Sequence, residues 1–147
     1  ELIAAGLRDE RHLHVHYASC FLADLLTARG ALDDADAVLR TAEDLLSGSP
    51  DPDHLARVRV RRARLLRLTG SRHAAAAVLA RAEEGIDGDC LTMEHVAWLV
   101  EKALTAAADG DADAARAWSD RLDALSARTG IRPLPWEARS LDGIAGR

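Results

Sequence analysis

Two groups of side chains in this sequence have the types and spacing needed for chemistry. The first is His12, His16 and Cys20, which follow one another at intervals of four residues and therefore share one face of a helix. Two imidazoles and a thiolate can ligate zinc, but no fourth ligand is evident, so we interpret these residues as ordinary packed or exposed side chains. Cys20 beside a histidine is also the pairing of a thiol nucleophile and its base, yet no local signature of such an enzyme surrounds it.

The second group is a run of arginines within one predicted helix. Its members are Arg57, Arg59, Arg61, Arg62, Arg64 and Arg67. Arg57, Arg61 and Arg64 share a face, and guanidinium groups placed there can bind a carboxylate or a phosphate through two parallel hydrogen bonds. The alternative is that the arginines pair with carboxylates of neighbouring helices, for which the candidates are Asp33, Asp36, Glu43 and Glu83.

Composition and motifs argue against several functions. The formal net charge is -5 at pH 7 and the arginine run has no interleaved aromatic residues, so we do not expect this chain to bind nucleic acid. No phosphate loop, dinucleotide-binding glycine pattern, nucleophile elbow or zinc-protease motif occurs, so we predict neither an enzyme nor a bound cofactor. No apolar run approaches the about 18 residues that span a bilayer. Together with the absence of a signal-peptide pattern and of closely spaced cysteines, this predicts a cytoplasmic protein.

A unit that repeats every forty residues must position these side chains. Each copy opens with a glycine, at Gly30, Gly70 and Gly110, and continues as Gly-x4-Ala-x-Ala. A fixed period of this length is typical of a helical solenoid, and Ala, Leu, Arg and Glu dominate the composition, which favours an all-α fold. We predict one domain over 1–147, with antiparallel helix pairs at about 12–47, 53–86 and 92–128. The remaining segments, 1–8 and 135–147, align with incomplete repeats.

The repeat also predicts which residues are buried. Small residues recur at Ala23, Ala63 and Ala103 in the first helix of each pair, and at Ala35, Ala75 and Ala115 in the second, where two helices can approach closely. In the first helix an apolar stripe is formed by Phe21, Leu22, Leu25 and Leu26. Trp98 and Trp118 fall at apolar positions and are expected in the core, and Trp136 is expected either to cover the last repeat or to meet a following one.

These columns resemble the tetratricopeptide repeat. A small residue late in the first helix, glycine at the turn and alanine five positions later are followed by an aliphatic residue and a further alanine, as in Ala23, Gly30, Ala35, Leu39 and Ala42. The period of forty exceeds the about 34 residues usual in that family. Helices of this length look like the repeat region of the large LuxR-type and antibiotic-regulatory transcriptional activators of actinobacteria. Scarce lysine, present only at Lys102, is also typical of a GC-rich bacterial genome.

The resemblance implies a right-handed superhelix and a function in binding. Arg57, Val60, Arg64 and Arg67 would line its inner groove, with Arg61 on the shared arginine face. The leading hypothesis is an interaction module of a larger cytoplasmic regulator, whose partner is a protein, a peptide, a neighbouring domain or a second copy of the chain. The alternatives are a sensor of a small anionic ligand that uses the arginines, and an enzyme that uses Cys20 or the histidines.

Overall fold

The computed structural model describes residues 2–49, 51–86 and 93–145, with side chains for 11–49, 51–86, 93–135 and 137–143. These residues form seven helices and contain no strand, so the predicted all-α class is confirmed for them. The helices are α1 (Leu2–Ala28), α2 (Leu32–Leu46), α3 (Pro52–Leu68), α4 (Arg72–Glu83), α5 (Met93–Ala108), α6 (Ala112–Thr129) and α7 (Pro135–Ala145).

The three repeat glycines form the same turn between successive helices. Gly30, Gly70 and Gly110 have φ angles of +77°, +83° and +81°, in the left-handed region that residues with a side chain rarely enter. In each turn the amide that follows the glycine donates to a carbonyl in the last turn of the preceding helix, for example from Ala31 to Leu26 at 2.9 Å and from Ser71 to Leu66 at 2.8 Å. This is the Schellman arrangement, which ends one helix and lets the next begin two residues later.

Several helix ends differ from the sequence prediction. α1 begins at Leu2 and runs without interruption through the predicted start at His12, because the residues between 8 and 12 include no glycine or proline to stop it. α4 ends at Glu83 rather than Ile86. Asp51 caps α3, since its carboxylate accepts from the amide of Asp53 at 2.9 Å. The Ser71 hydroxyl makes no such bond at the start of α4. The predicted start of the third pair at Thr92 lies outside the described residues.

Helices contact their neighbours along the chain. Each helix packs on the next one, and α1, α3, α5 and α7 also contact each other in that order. The predicted small residues are buried at these contacts: Ala63, Ala75, Ala103 and Ala115 are inaccessible to solvent. Ala23 and Ala35 are buried in the same way. Burial of the small residues at these columns is therefore confirmed for the described residues.

The apolar stripe predicted for α1 is wrong as a core element. Phe21 is 69% exposed, and Leu22 and Leu25 are each 45% exposed. Only Leu26 of the stripe packs against the core. The buried face of α1 carries His16, Cys20 and Ala23 instead, because this is the side of the helix on which α2 and α3 lie.

Tryptophan packing follows the prediction where it is described. Trp98 is buried and donates from Nε1 to the backbone oxygen of Leu79 on α4 at 3.0 Å. Trp118 packs edge-on against it with ring centroids 5.5 Å apart. The Trp136 side chain and all of Cys90 lie outside the described residues.

No described helix has the length and apolarity needed to cross a membrane.

Candidate functional site

The strongest candidate site is a cavity of about 360 Å³ to which four helices contribute. Asp24 comes from α1, and Glu137 from α7. The wall between them consists of Arg57, Val60, Arg61 and Arg64 from α3, Met93, Glu94, Ala97 and Glu101 from α5, and Leu134 from the segment before α7. We call this the central cavity. It contains four of the five residues that the sequence assigned to a groove.

Arg57 is held at one end of the central cavity by two carboxylates. Its Nη2 lies 2.7 Å from Asp53 of the same helix and 3.2 Å from Glu94 of α5. Burial works against the charged guanidinium, but the two carboxylates outweigh it and raise the pKa of Arg57. This arginine therefore carries a permanent charge and ties α3 to α5.

Arg61 is more open to solvent. Its Nε lies 3.5 Å from Asp24 of α1, and the two side chains are 37% and 54% exposed. An ion pair this exposed contributes little to stability, about 1 kcal/mol at most. The Arg61 guanidinium can therefore exchange Asp24 for a ligand group at low cost.

A buried carboxyl group stands on the α7 side of the cavity. Glu137 is only 6% exposed, and its Oε2 accepts a hydrogen bond from the amide of Leu134 at 2.7 Å. Burial raises the pKa of Glu137 above its ordinary value, with a further increase from the neighbouring charge of Glu101, while the Leu134 amide and the charges of Arg64 and Arg61 oppose this rise.

Arg67 does not line the central cavity, contrary to the prediction. Its Nε and Nη2 donate to the two oxygens of Glu101 at 2.9 and 3.2 Å, which forms a two-pronged ion pair between α3 and α5. The Glu101 side chain is only 3% exposed. Because a buried carboxylate needs a hydrogen-bonded partner, Arg67 is committed to the fold rather than to a ligand.

Arg59 and Arg62 point away from the cavity, toward α2 and α4. Arg62 donates to Asp36 and Glu43 of α2, both at 2.9 Å. Burial works against the charge of Arg62, but the hydrogen bonds that it donates to these carboxylates raise its pKa overall. Arg59 donates to the backbone oxygen of Arg81 at 2.6 Å. Pairing with Asp36 and Glu43, one of the two alternatives left open by the sequence, is thus correct for this side of α3.

The histidines and Cys20 do not form a metal site. His16 stacks on His54 of α3 with ring centroids 5.3 Å apart. Among the described residues, no group of three or more His, Cys, Asp and Glu side chains is arranged to hold a metal ion. His12, His16 and Cys20 therefore do not form such a group. Burial raises the pKa of Cys20 to about 11, which is the opposite of what a thiolate nucleophile requires.

Sequence reasoning identified the arginines of the cavity but missed its carboxyl groups. Asp24, Glu94, Glu101 and Glu137 belong to three different helices, and each is isolated in the sequence among residues of other types. The forty-residue interval contained a partial signal, because Arg57, Ala97 and Glu137 occupy equivalent positions in successive units. Because three guanidinium groups, four carboxyl groups and several apolar side chains line it, the cavity can bind a polar group of either charge.

The chain matches no family model, no curated protein and no solved structure among those with which it was compared.

Proposed function

We propose that this chain is a protein-interaction module that binds a short segment of a partner protein in the central cavity. The observation that carries the proposal is that α1, α3, α5 and α7 all contribute side chains to one cavity. A surface assembled from successive helices presents regularly spaced contacts, which suits a peptide better than it suits a reacting centre.

The arrangement of the helices supports a solenoid of the tetratricopeptide type. Three identical glycine turns recur at forty-residue intervals, and each helix contacts only near neighbours in the described part of the chain. In such a solenoid the first helices of successive pairs form the inner surface, and α1, α3, α5 and α7 are those helices. By the same resemblance, we propose that the module belongs to a larger cytoplasmic regulator of bacterial transcription.

The charges in the cavity favour a peptide that carries both signs. Arg57 already has Asp53 and Glu94 as partners, and Arg61 has Asp24. A single small anion would have to displace these carboxylates and would then face the remaining ones. A segment with an acidic and a basic residue on either side of an apolar one can pair with both the arginines and the carboxyl groups of the cavity and place its apolar side chain against Val60 and Ala97.

Selection from a random peptide library displayed on phage tests this function on the whole chain. We expect selected peptides to contain both charge signs around an apolar residue, and fluorescence polarisation should measure their affinity. Arg61→Glu should weaken binding on the order of tenfold or more, because it reverses the charge of one side chain of the cavity, and the ion pair with Asp24 that it removes is largely exposed. Arg72→Glu is the matched control, since Arg72 is exposed on α4 and does not line the cavity.

Two results would contradict the proposal. One is that no peptide is enriched above a denatured-protein control. The other is that enriched peptides bind the Arg61→Glu and Arg72→Glu variants equally well, since the peptides would then be using another surface.

Sensing of a small anion is the alternative, and it makes a different prediction. If the arginines of the cavity bind an anionic effector, inorganic phosphate should raise the unfolding temperature in a saturable way that Arg61→Ala abolishes, because a ligand that binds only the folded state stabilises it. Because carboxylates lie beside the arginines in the cavity, we expect only the non-saturable effect of salt.

A further inference from the structure

A second cavity, of about 220 Å³, is lined by residues of α4, α5 and α6. None of its residues also lines the central cavity. Its polar and aromatic walls, with one small residue, are formed by Ala76 of α4, Lys102 and Thr105 of α5, Trp118 of α6, and Asp109 and Asp111 beside the glycine turn. We call this the α5 cavity.

An ion pair fills the equivalent place one repeat earlier. There Arg62 of α3 donates to Asp36 and Glu43 of α2, both at 2.9 Å. Forty residues later, Lys102 stands in place of Arg62 and Ala76 in place of Asp36. Because a methyl group replaces the carboxylate of Asp36, the α5 cavity has room for a carboxylate from elsewhere.

Lys102 has one carboxylate partner in the described part of the chain, whereas Arg62 has two. Its Nζ lies 3.8 Å from Glu83, whose side chain is 54% exposed. The ammonium group also lies over the rings of Trp98 and Trp118, 5.1 and 4.8 Å from their centroids. An ammonium group has three donors, so Lys102 can accept a second carboxylate without losing the first.

Thr105 supplies a buried hydroxyl group without a partner. It lines the α5 cavity and is only 3% exposed, and its Oγ1 makes no hydrogen bond to any described residue. Thr27 and Thr129, which are also helical, donate to the carbonyl four residues earlier at 2.7 and 2.9 Å. The position equivalent to Thr105 one repeat earlier is the buried Leu65. A buried hydroxyl group costs stability unless it is hydrogen-bonded, and a ligand oxygen in the cavity would satisfy this one.

Two carboxylates, Asp109 and Asp111, give the other end of the cavity the opposite charge. Both are exposed, and Asp111 accepts from the amide of Ala114 at 2.9 Å. Lys102 and Asp109 are seven residues apart, which is about 10 Å along a helix axis. A ligand that reaches both ends therefore carries its two charges at the ends of a chain rather than on one carbon.

We propose that the α5 cavity binds a small linear zwitterion, in which a carboxylate and an ammonium group are joined by a short aliphatic chain. The carboxylate accepts hydrogen bonds from Lys102 and from the hydroxyl of Thr105. The ammonium group pairs with Asp109 and Asp111. Each charge of the ligand then meets its opposite, and the aliphatic chain lies along the apolar residues of the cavity.

Titration of the whole chain with ε-aminocaproate tests the site. Heteronuclear magnetic resonance spectra should show a saturable change in the indole signal of Trp118, which the Trp118→Phe variant identifies. We expect half-saturation at millimolar concentrations, which suits so small a ligand. Caproate and hexylamine, which each lack one of the two charged groups, should bind on the order of tenfold more weakly.

Two substitutions test the assigned contacts. Ala76→Asp should weaken binding on the order of tenfold or more, because it restores the carboxylate of the earlier repeat where the ligand places its own. Ala77→Asp is the matched control, since Ala77 is exposed on the same helix and does not line the cavity. Thr105→Val should weaken binding on the order of tenfold, because a hydrogen bond to a charged group is lost. In thermal unfolding without ligand, Thr105→Val should melt no lower than the unmodified chain, since its hydroxyl has no partner to lose.

Four results would each overturn the inference. The first is the absence of a saturable change with ε-aminocaproate, and the second is equal affinity for caproate or hexylamine. The third is equal binding by the Ala76→Asp and Ala77→Asp variants. The fourth is a lower melting temperature for Thr105→Val, since the hydroxyl would then already have a partner. None of these results bears on peptide binding in the central cavity, which the Arg61→Glu variant reports separately.

Discussion

His16 should make the fold sensitive to acid. The side chain is only 2% exposed, and its Nδ1 has no hydrogen-bond partner in the described part of the chain. Burial lowers the pKa of His16 from 6.5 to about 4, with smaller contributions from the positive charges of Arg57, His54 and Arg61. The folded state therefore holds this imidazole neutral.

The size of the effect follows from the difference between the two pKa values. Between pH 6.5 and about 4, the unfolded chain takes up a proton at His16 that the folded chain does not, so stability falls as the pH falls. A pKa difference of one between the folded and unfolded states is worth about 1.4 kcal/mol of unfolding free energy. The interval from 6.5 to about 4 therefore corresponds to about 3 kcal/mol. Above pH 6.5 both states are neutral at this position and the contribution is constant.

The assay is urea unfolding, followed by circular dichroism, of the unmodified chain and of His16→Leu across this pH range. Other groups titrate in both proteins, so the informative quantity is the difference between their unfolding free energies. As the pH falls to about 4, His16→Leu should gain about 3 kcal/mol relative to the unmodified chain. Val58→Ala is the control, because it removes buried apolar volume from the core without changing a titrating group and should shift the profile by a constant. Parallel profiles for the unmodified chain and His16→Leu would refute the reasoning.

Three further predictions concern stability and reactivity. Arg67→Ala should destabilise the fold by about 3 kcal/mol in urea unfolding, because it leaves a buried carboxylate of α5 without its partner. As a control, Arg116→Ala removes the solvated ion pair with Asp113 and should lower the unfolding free energy by less than about 0.5 kcal/mol. Equal losses in the two variants would argue against a structural role for the pair between Arg67 and Glu101. Gly85→Ala should lower stability by about 1–3 kcal/mol in thermal unfolding, since an added Cβ would lie 2.5 Å from the backbone oxygen of the first residue of α3; an unchanged melting temperature would contradict this contact. In a Cys90→Ser background, Cys20 should react slowly with a thiol reagent until the chain is unfolded, because it is buried and its pKa is raised to about 11; rapid labelling of the folded protein would contradict its burial.

The sequence predicted the helical fold from signals that are local. Gly30, Gly70 and Gly110 mark turns because only glycine enters the left-handed region without strain, and this holds whatever surrounds the turn. Recurrent alanines such as Ala63 and Ala75 predicted close helix contacts, because a small side chain is what such a contact requires. The start of α1 could not be placed in the same way, since a repeat alignment supplies no stop signal within a continuous helix.

The candidate site was predicted only in part, because it is made of residues that are distant in sequence. Helical spacing put Arg57, Arg61 and Arg64 on one face, and all three line the central cavity. Spacing did not distinguish them from Arg67, whose guanidinium is bound to a carboxylate 34 positions later on α5. Nor did it reveal the buried Glu137, which reaches the cavity only because α7 packs on α5.

The sequence by itself determined where helices turn, which small residues allow close contact and on which face of its helix each arginine stands. Periodicity fixes the direction of a side chain around its own helix. What lies in that direction depends on how other helices pack, and only the tertiary structure decided it. It placed Phe21 in solvent and Arg67 against Glu101, and it surrounded three arginines with four carboxyl groups, because burial and pairing are properties of the space between helices.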